Sequence, residues 1–155
     1  MSKKIISAGL IIYRKSKDGI RFLLLYRGRG VWDMPRGKME ADERSVQTAF
    51  REVYEETGLS GRDLIIDHSF RRVYEKFPYT KNDEKFFKIV IFYLAKTSQA
   101  QVRLSDEHEG YGWFTLKEAQ RHLGKFRKRK ELLGKAWEHI SARQQNIARP
   151  KPLDK

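Results

Sequence analysis

Residues Gly37 to Leu59 read GKMEADERSVQTAFREVYEETGL, and this stretch decides how the rest of the chain is organised. Val46, Ala49, Phe50, Val53 and Thr57 recur at helical spacing, so one face of the segment asks for a core. Glu52, Glu55 and Glu56 fall at i, i+3 and i+4, which gathers three carboxylates on a different face. Like charges so placed cost an isolated helix roughly 0.2–0.5 kcal/mol per pair. A hard divalent cation converts that repulsion into attraction, because Mg²⁺ takes oxygen ligands and is commonly held by carboxylates together with substrate phosphates. A solvated acidic face on a core helix is the competing reading, and three glutamates alone do not separate the two. Gly58 suits the residue that closes the helix. The acidic residues around Ala41–Glu43 suit its start, at the positive end of the helix dipole.

Upstream, Ser7–Tyr13 (SAGLIIY) and Arg21–Tyr26 (RFLLLY) read as two buried strands joined by a polar turn at Lys15–Gly19. Arg27–Gly30 is a loop, and Pro35 with Gly37 predicts irregular backbone just ahead of the helix. Downstream, Leu64–Tyr74 and Phe86–Lys96 are rich in β-branched and aromatic residues and read as a long hairpin with a polar tip at Pro78–Glu84. Ala100–Leu104 and Tyr111–Phe114 suit short strands, and Thr115 caps a short helix running to about His122. A basic helix over about residues 125–146 carries Leu132, Leu133, Ala136, Trp137 and Ile140 as its apolar stripe. Residues 149–155 read as a tail, leaving one domain over residues 1–148. The order of elements gives an α/β protein: a mixed sheet with helices on both sides.

The chain has 155 residues, no cysteine and a net charge of +13. Disulfide and thiol chemistry are excluded, and a reducing, cytoplasmic setting fits. The start, MSKKIISAGLII, superficially resembles a signal peptide, but its apolar run is short and leads straight into Tyr13-Arg14-Lys15, so a first strand is expected there. No apolar stretch has the length of a membrane span, so no membrane partner is expected. Residues 121–155 hold 11 basic residues against 3 acidic ones. Such a balance favours a polyanionic partner without choosing among nucleotides, RNA 5′ ends, inositol polyphosphates and nucleic acid. It indicates neither a monomer nor a dimer.

The fixed positions of the opening stretch go further. Gly37, Glu43 and the run Arg51-Glu52-Val53-Tyr54-Glu55-Glu56-Thr57-Gly58-Leu59 meet the pattern G-x5-E-x7-R-E-apolar-x-E-E-x-G-apolar at every position. That pattern resembles the signature of the Nudix hydrolase family. The resemblance implies an α/β/α sandwich around a central mixed sheet, covering nearly the whole chain. It also implies metal-dependent hydrolysis of a phosphoanhydride. By that resemblance Glu52, Glu55 and Glu56, with the backbone carbonyl of Gly37, ligate Mg²⁺, with Mn²⁺ as the alternative ion. Glu43 and Arg51 orient those ligands or form a helix-surface ion pair, and Arg51 and Glu55 stand with Glu107 as candidate catalytic residues. The chain departs from the commoner E-x-G-E at Glu40-Ala41-Asp42-Glu43, which puts the conformation of that loop in doubt but removes no ligand.

A second stretch, Leu104-Ser105-Asp106-Glu107-His108-Glu109-Gly110-Tyr111-Gly112-Trp113, is similar to the L-S-x-E-H-x-x-Y-x-W segment of the asymmetric diadenosine tetraphosphate hydrolases, a Nudix subfamily. Glu107 then matches an additional glutamate that binds metal or activates water, and Tyr111 an aromatic that stacks on adenine. Trp32–Lys38 is similar to the W-x-x-P-(K/R)-G segment of the same subfamily, which makes Arg36 a phosphate contact. Lys88 matches a lysine that reaches the phosphate chain, and Tyr79, or Tyr74, is a second candidate for stacking. The function so implied is asymmetric cleavage of diadenosine tetraphosphate to ATP and AMP. An RNA 5′-pyrophosphohydrolase or a diphosphoinositol polyphosphate phosphohydrolase is the alternative. A non-catalytic nucleotide or RNA binder would be expected to lack box acids, and none is missing. The basic run Lys125–Lys130 reads either as an extension of a phosphate channel or as a solvated face.

Overall fold

The computed structural model describes residues 3–148, the side chains of residues 73–77, 79 and 146–148 excepted. Its spine is β1 (Lys3–Ser16), an apolar strand that is buried on both faces through its middle. The alternation of side chains along β1 feeds two cores. Ile11 points into one, with Phe22, Leu24, Phe92 and Leu94; Leu10 and Ile12 point into the other, with Leu23 and Leu25. β1 pairs antiparallel with β2 (Gly19–Tyr26), so that Tyr13 lies opposite Phe22, and parallel with β6 (Glu84–Lys96), so that Leu10 lies opposite Tyr93. The hairpin of β5 (Ile65–Lys81) and β6 closes one side of the sheet. β3 (Trp32–Asp33) and β7 (Gly110–Phe114) both pair with β2, giving a mixed seven-stranded sheet.

One face is covered by α1 (Ser45–Thr57), whose Ala49 and Val53 are fully buried. The other face is covered by α2 (Leu116–Leu123) and α3 (Arg127–Ala148) through Ala119, Leu123, Leu132, Leu133, Ala136 and Ile140. This is the α/β/α sandwich expected from the sequence. No helix of the described residues is long and apolar enough to cross a membrane.

The differences from expectation are local. α1 starts at Ser45 rather than at 41–43, because the Glu43 carboxylate turns back to accept the Glu40 N–H at 2.8 Å and folds a turn ahead of the helix. In that turn Asp42 adopts φ 68°, the left-handed conformation that the glycine of E-x-G-E would supply. Asp tolerates that region better than most residues. Residues 36–38 are not irregular: β4 (Arg36–Lys38) pairs with Ser7–Gly9 of β1, and the Pro35 carbonyl accepts the Leu10 N–H at 3.2 Å. Residues 100–104 form no strand. At their end, the Arg103 and Ser105 N–H groups go to the Thr57 and Glu56 carbonyls, at 2.9 and 3.3 Å. These are carbonyls that the end of a helix leaves unbonded. Trp137 lies off the buried stripe of α3 and is 40% exposed. The expected tail at 149–155 lies outside the described residues.

Candidate active site

α1 ends beneath β4 and beside the loop before β7, and the three enclose a cleft of about 550 Å³. Glu52, Glu55, Glu56 and Gly37 line it from the box, Arg36 and Lys38 from β4, and Ser105, Asp106 and Glu107 from the loop. Arg27 completes the lining. The loop is held there by the bonds of Arg103 and Ser105 to the end of α1 and by the Glu109 N–H on the Tyr26 carbonyl at 2.8 Å. Gly58, at φ 76°, caps α1 in the left-handed region and donates to the Tyr54 carbonyl at 2.9 Å, which lets the chain leave the helix toward the core.

Gly37 makes room for a site carboxylate. A Cβ built on it would collide with the carboxylate of Glu52, so only a glycine lets that carboxylate lie directly against β4. Glu56 lies deeper, 3% exposed, and its Oε2 is buried with no hydrogen-bond partner. Burial, then the Glu52 charge, pushes the Glu56 carboxyl up to about 8. Burial also pushes Glu52 up, against the opposing effect of Arg51. The two carboxylates repel one another and one buried oxygen of Glu56 has no donor, and that environment suits a bound cation. The set fits a hard divalent ion in donor type and charge. Among the described residues no three acidic or imidazole groups already converge at ion-binding spacing. Glu55 is turned instead toward Arg51, whose Nη1 donates to it at 3.3 Å and to Glu52 at 3.0 Å.

Arg51 and Glu43 lie beside the cleft rather than in its lining. Arg51 donates from Nε to Glu43 at 2.8 Å and from Nη2 to the Lys38 carbonyl at 3.0 Å, tying α1 to β4. Those bonds hold Glu43 down at about 2 and raise Arg51 further. Glu107 is exposed in the lining, where a carboxylate can meet solvent water.

The remaining expected residues are dispersed. Lys88 lies on β6 in an adjoining groove that shares Lys38 with the cleft. Tyr111 lies on β7 opposite Leu25, outside the cleft lining and 38% exposed. The side chains of Tyr79 and Tyr74 lie outside the described residues. His108 is buried, with Nδ1 at 3.4 Å from Ser105 Oγ, and burial followed by the Arg27 charge lowers its pKa.

Two residues near the site were not anticipated. Asp33, 2% exposed, accepts from Arg36 Nε at 3.0 Å and pairs with Arg129 of α3 at 3.3 Å. Arg129 belongs to the basic run Lys125–Lys130, yet it is buried, 8% exposed, with its guanidinium over Phe126 at 4.3 Å. The isolated acid in Trp32-Asp33-Met34-Pro35 was the available signal; its partner 96 positions away was not. Arg27 and Lys38 also line the cleft, and each stands beside a glycine in a stretch already singled out.

Comparison with known proteins agrees with this geometry. Residues 3–133 match the NUDIX domain. The bis(5′-nucleosyl)-tetraphosphatase [asymmetrical] of Mus musculus is 36% identical over 137 residues, covering 82% of this chain and 89% of the mouse protein. The Caenorhabditis elegans protein of the same name is 34% identical over 116 residues, covering 73% and 80%. The crystal structure of a C. elegans Ap4A hydrolase binary complex superposes with a TM-score of 0.76 at 30% identity, covering 89% of this chain and 98% of that one. A domain match over most of the chain, relatives of this identity along most of their length, and the box at every position make this chain a member of the Nudix hydrolase family.

Proposed function

We propose that the chain hydrolyses dinucleoside tetraphosphates asymmetrically, releasing ATP and AMP from diadenosine tetraphosphate, with Mg²⁺ as cofactor and Mn²⁺ as a substitute. The observation that carries this reading is the presence of acids and bases in one cleft. Glu52 and Glu56, the latter with a buried oxygen lacking any partner, line it together with Arg36, Lys38 and Arg27. The acids suit cations and the basic side chains suit phosphates. Glu52, Glu56 and the Gly37 carbonyl, with Glu55, would hold a divalent ion, which would supply charge neutralisation to the phosphates and make water more acidic.

The protein groups do the rest. Arg36, oriented by Asp33, offers its free guanidinium nitrogens to a phosphate, and Lys38 and Lys88 balance further charge. Glu107 accepts the proton of the attacking water. The new P–O bond forms as the anhydride P–O bond breaks, and the leaving nucleotide carries away that electron pair as its terminal phosphate. Tyr111 stacks on one base. The similarity to the mouse and nematode tetraphosphatases supports the choice of substrate.

A substrate panel with Mg²⁺ tests the proposal: diadenosine tetraphosphate, 5′-triphosphorylated RNA, diphosphoinositol polyphosphate, ADP-ribose and oxidised deoxyguanosine triphosphate. The tetraphosphate is expected to give the highest kcat/KM, with ATP and AMP in equal amounts, and ¹⁸O-water labels the product whose phosphorus was attacked. Two ADP molecules as products, or a higher kcat/KM on RNA, would overturn it.

A further inference from the structure

Neither a phosphate channel nor a solvated face describes every residue of the basic run Lys125–Lys130. Lys125, Arg127 and Lys128 are exposed, and Arg127 pairs with Glu131 of its own helix at 3.4 Å. Arg129 is buried instead, one turn into α3. The start of that helix is fixed to α2. The Phe126 N–H donates to the Leu123 carbonyl at 3.1 Å, and Gln120 Nε2 donates to the Lys130 carbonyl at 3.0 Å.

What Arg129 meets is Asp33, on β3 opposite Leu25 of β2. Asp33 Oδ1 accepts the Met34 N–H at 2.8 Å. Its Oδ2 is shared by two guanidinium groups, with Arg36 Nε at 3.0 Å and Arg129 Nη1 at 3.3 Å. The side chains of Asp33, Arg36 and Arg129 are 3%, 14% and 10% exposed, so water screens them little. Arg36 lines the cleft and Arg129 does not. One carboxylate oxygen thus divides its charge between a side chain that can meet a phosphate and one that cannot. The more Asp33 is drawn to Arg129, the less it neutralises Arg36, and the more of the Arg36 charge is left for a phosphate. Facing Arg36 alone, Asp33 would form a buried pair with it, and a phosphate would have to compete with that carboxylate for the guanidinium.

We propose that Arg129 is a positioning residue for substrate binding: by sharing Asp33 from α3, it lets Arg36 be held in place without being neutralised. The C-terminal helix thereby sets phosphate affinity from outside the cleft. This rests on the reading of the cleft as a phosphoanhydride hydrolase in which Arg36 meets a phosphate.

The test compares wild type with Arg129→Gln, Asp33→Asn and the double variant Asp33→Asn/Arg129→Gln. The values of kcat and KM are measured on diadenosine tetraphosphate with Mg²⁺. Calorimetry gives the Kd of methylenebisphosphonate, a phosphoanhydride analogue that cannot be hydrolysed. Arg129→Gln is expected to raise KM and Kd by about fivefold and to change kcat by less than about twofold. In the Asp33→Asn background the same substitution should add nothing, because the carboxylate through which it acts is gone. A further rise in the double variant overturns the proposal, since Arg129 would then act by another route. A fall in kcat and Tm with KM and Kd unchanged overturns it too, and leaves Arg129 a structural residue. If Arg129→Gln does not fold, the two Asp33→Asn variants decide alone: equal KM and Kd support the proposal and unequal values overturn it. Absence of turnover by the wild-type protein would sink the choice of substrate, while the Kd for methylenebisphosphonate would still judge Arg129.

Discussion

Two carboxylates on opposite faces of the sheet show how differently one side chain type can be treated. Asp67, on β5 beneath α3, is surrounded by donors: Ser69, His139 at 3.0 Å and Arg143 at 2.7 Å. Burial alone would raise its pKa, but these hydrogen bonds together hold it at about 2. Glu56, beneath β4 on the α1 face, is more deeply buried and has an oxygen with no donor, and its pKa is pushed up to about 8. The first arrangement stabilises the folded chain. The second disfavours the charged form unless something positive arrives from outside. A buried acid with one oxygen left without a donor is what the proposed metal site calls for, and the contrast can be broken by experiment.

The largest expected effect is on the unsatisfied side. Glu56→Gln and Glu52→Gln should each lower kcat by about 100-fold or more, at least what loss of an outer partner of a metal ligand costs. Both should remain folded, and Glu56→Gln without metal should melt no lower than wild type near pH 7, since a carboxyl pushed up to about 8 favours the unfolded chain, where it ionises, and an amide does not. Mg²⁺ at about 100 times its Kd should stabilise the wild-type protein by about 2.7 kcal/mol and the Gln variants by much less. Calorimetric melting with and without Mg²⁺ measures this. Near-normal turnover in either variant, or a wild-type Tm flat across the Mg²⁺ titration, would show that Glu56 is merely a poorly satisfied core acid.

The sequence makes the two sides unequally visible. The box was legible because its groups are local: i, i+3 and i+4 on a helix fix relative positions without knowledge of the fold. The sandwich was legible for the same reason, since alternation in β1 and the apolar stripes of α1 and α3 are periodic patterns. What was hidden depends on long-range pairing. Asp67 meets His139 and Arg143 only because α3 packs across β5, and Lys3 and Lys88 line one groove only because β1 and β6 are parallel neighbours. Val102 and Leu104 imitate a strand by alternating, yet the backbone around them is bound to the end of α1. Asp42 was legible as a departure but not as a consequence: the left-handed turn persists with an aspartate in the place of glycine.

Asp33 is an intermediate case that sharpens the comparison. It is as buried as Glu56 and borders the cleft, but Arg36, Arg129 and the Met34 N–H satisfy it. If satisfied acids position rather than react, Asp33→Asn should raise KM by roughly tenfold, about 1.4 kcal/mol, as Arg36 loses its orientation. The value of kcat should change far less. Steady-state kinetics on diadenosine tetraphosphate separate the two parameters, and a fall confined to kcat would place Asp33 in the chemistry instead.

The smallest effect is expected on the satisfied side, and its sign is fixed by linkage. The folded pKa of Asp67, about 2, lies below the ordinary aspartate value of about 3.9. Its pairing is therefore fully present above about pH 4 and is lost as pH falls from about 4 through about 2. Solvent around Arg143, 61% exposed, screens the pair, which limits the contribution to about 1–2 kcal/mol. Denaturant melts of wild type and Asp67→Asn between pH 2 and pH 6 should differ by that amount at the upper end and converge at the lower. A gap that persists unchanged to pH 2 would mean that shape, not charge, fixes Asp67 in place. The two carboxylates would then differ in burial alone rather than in the partners the fold supplies.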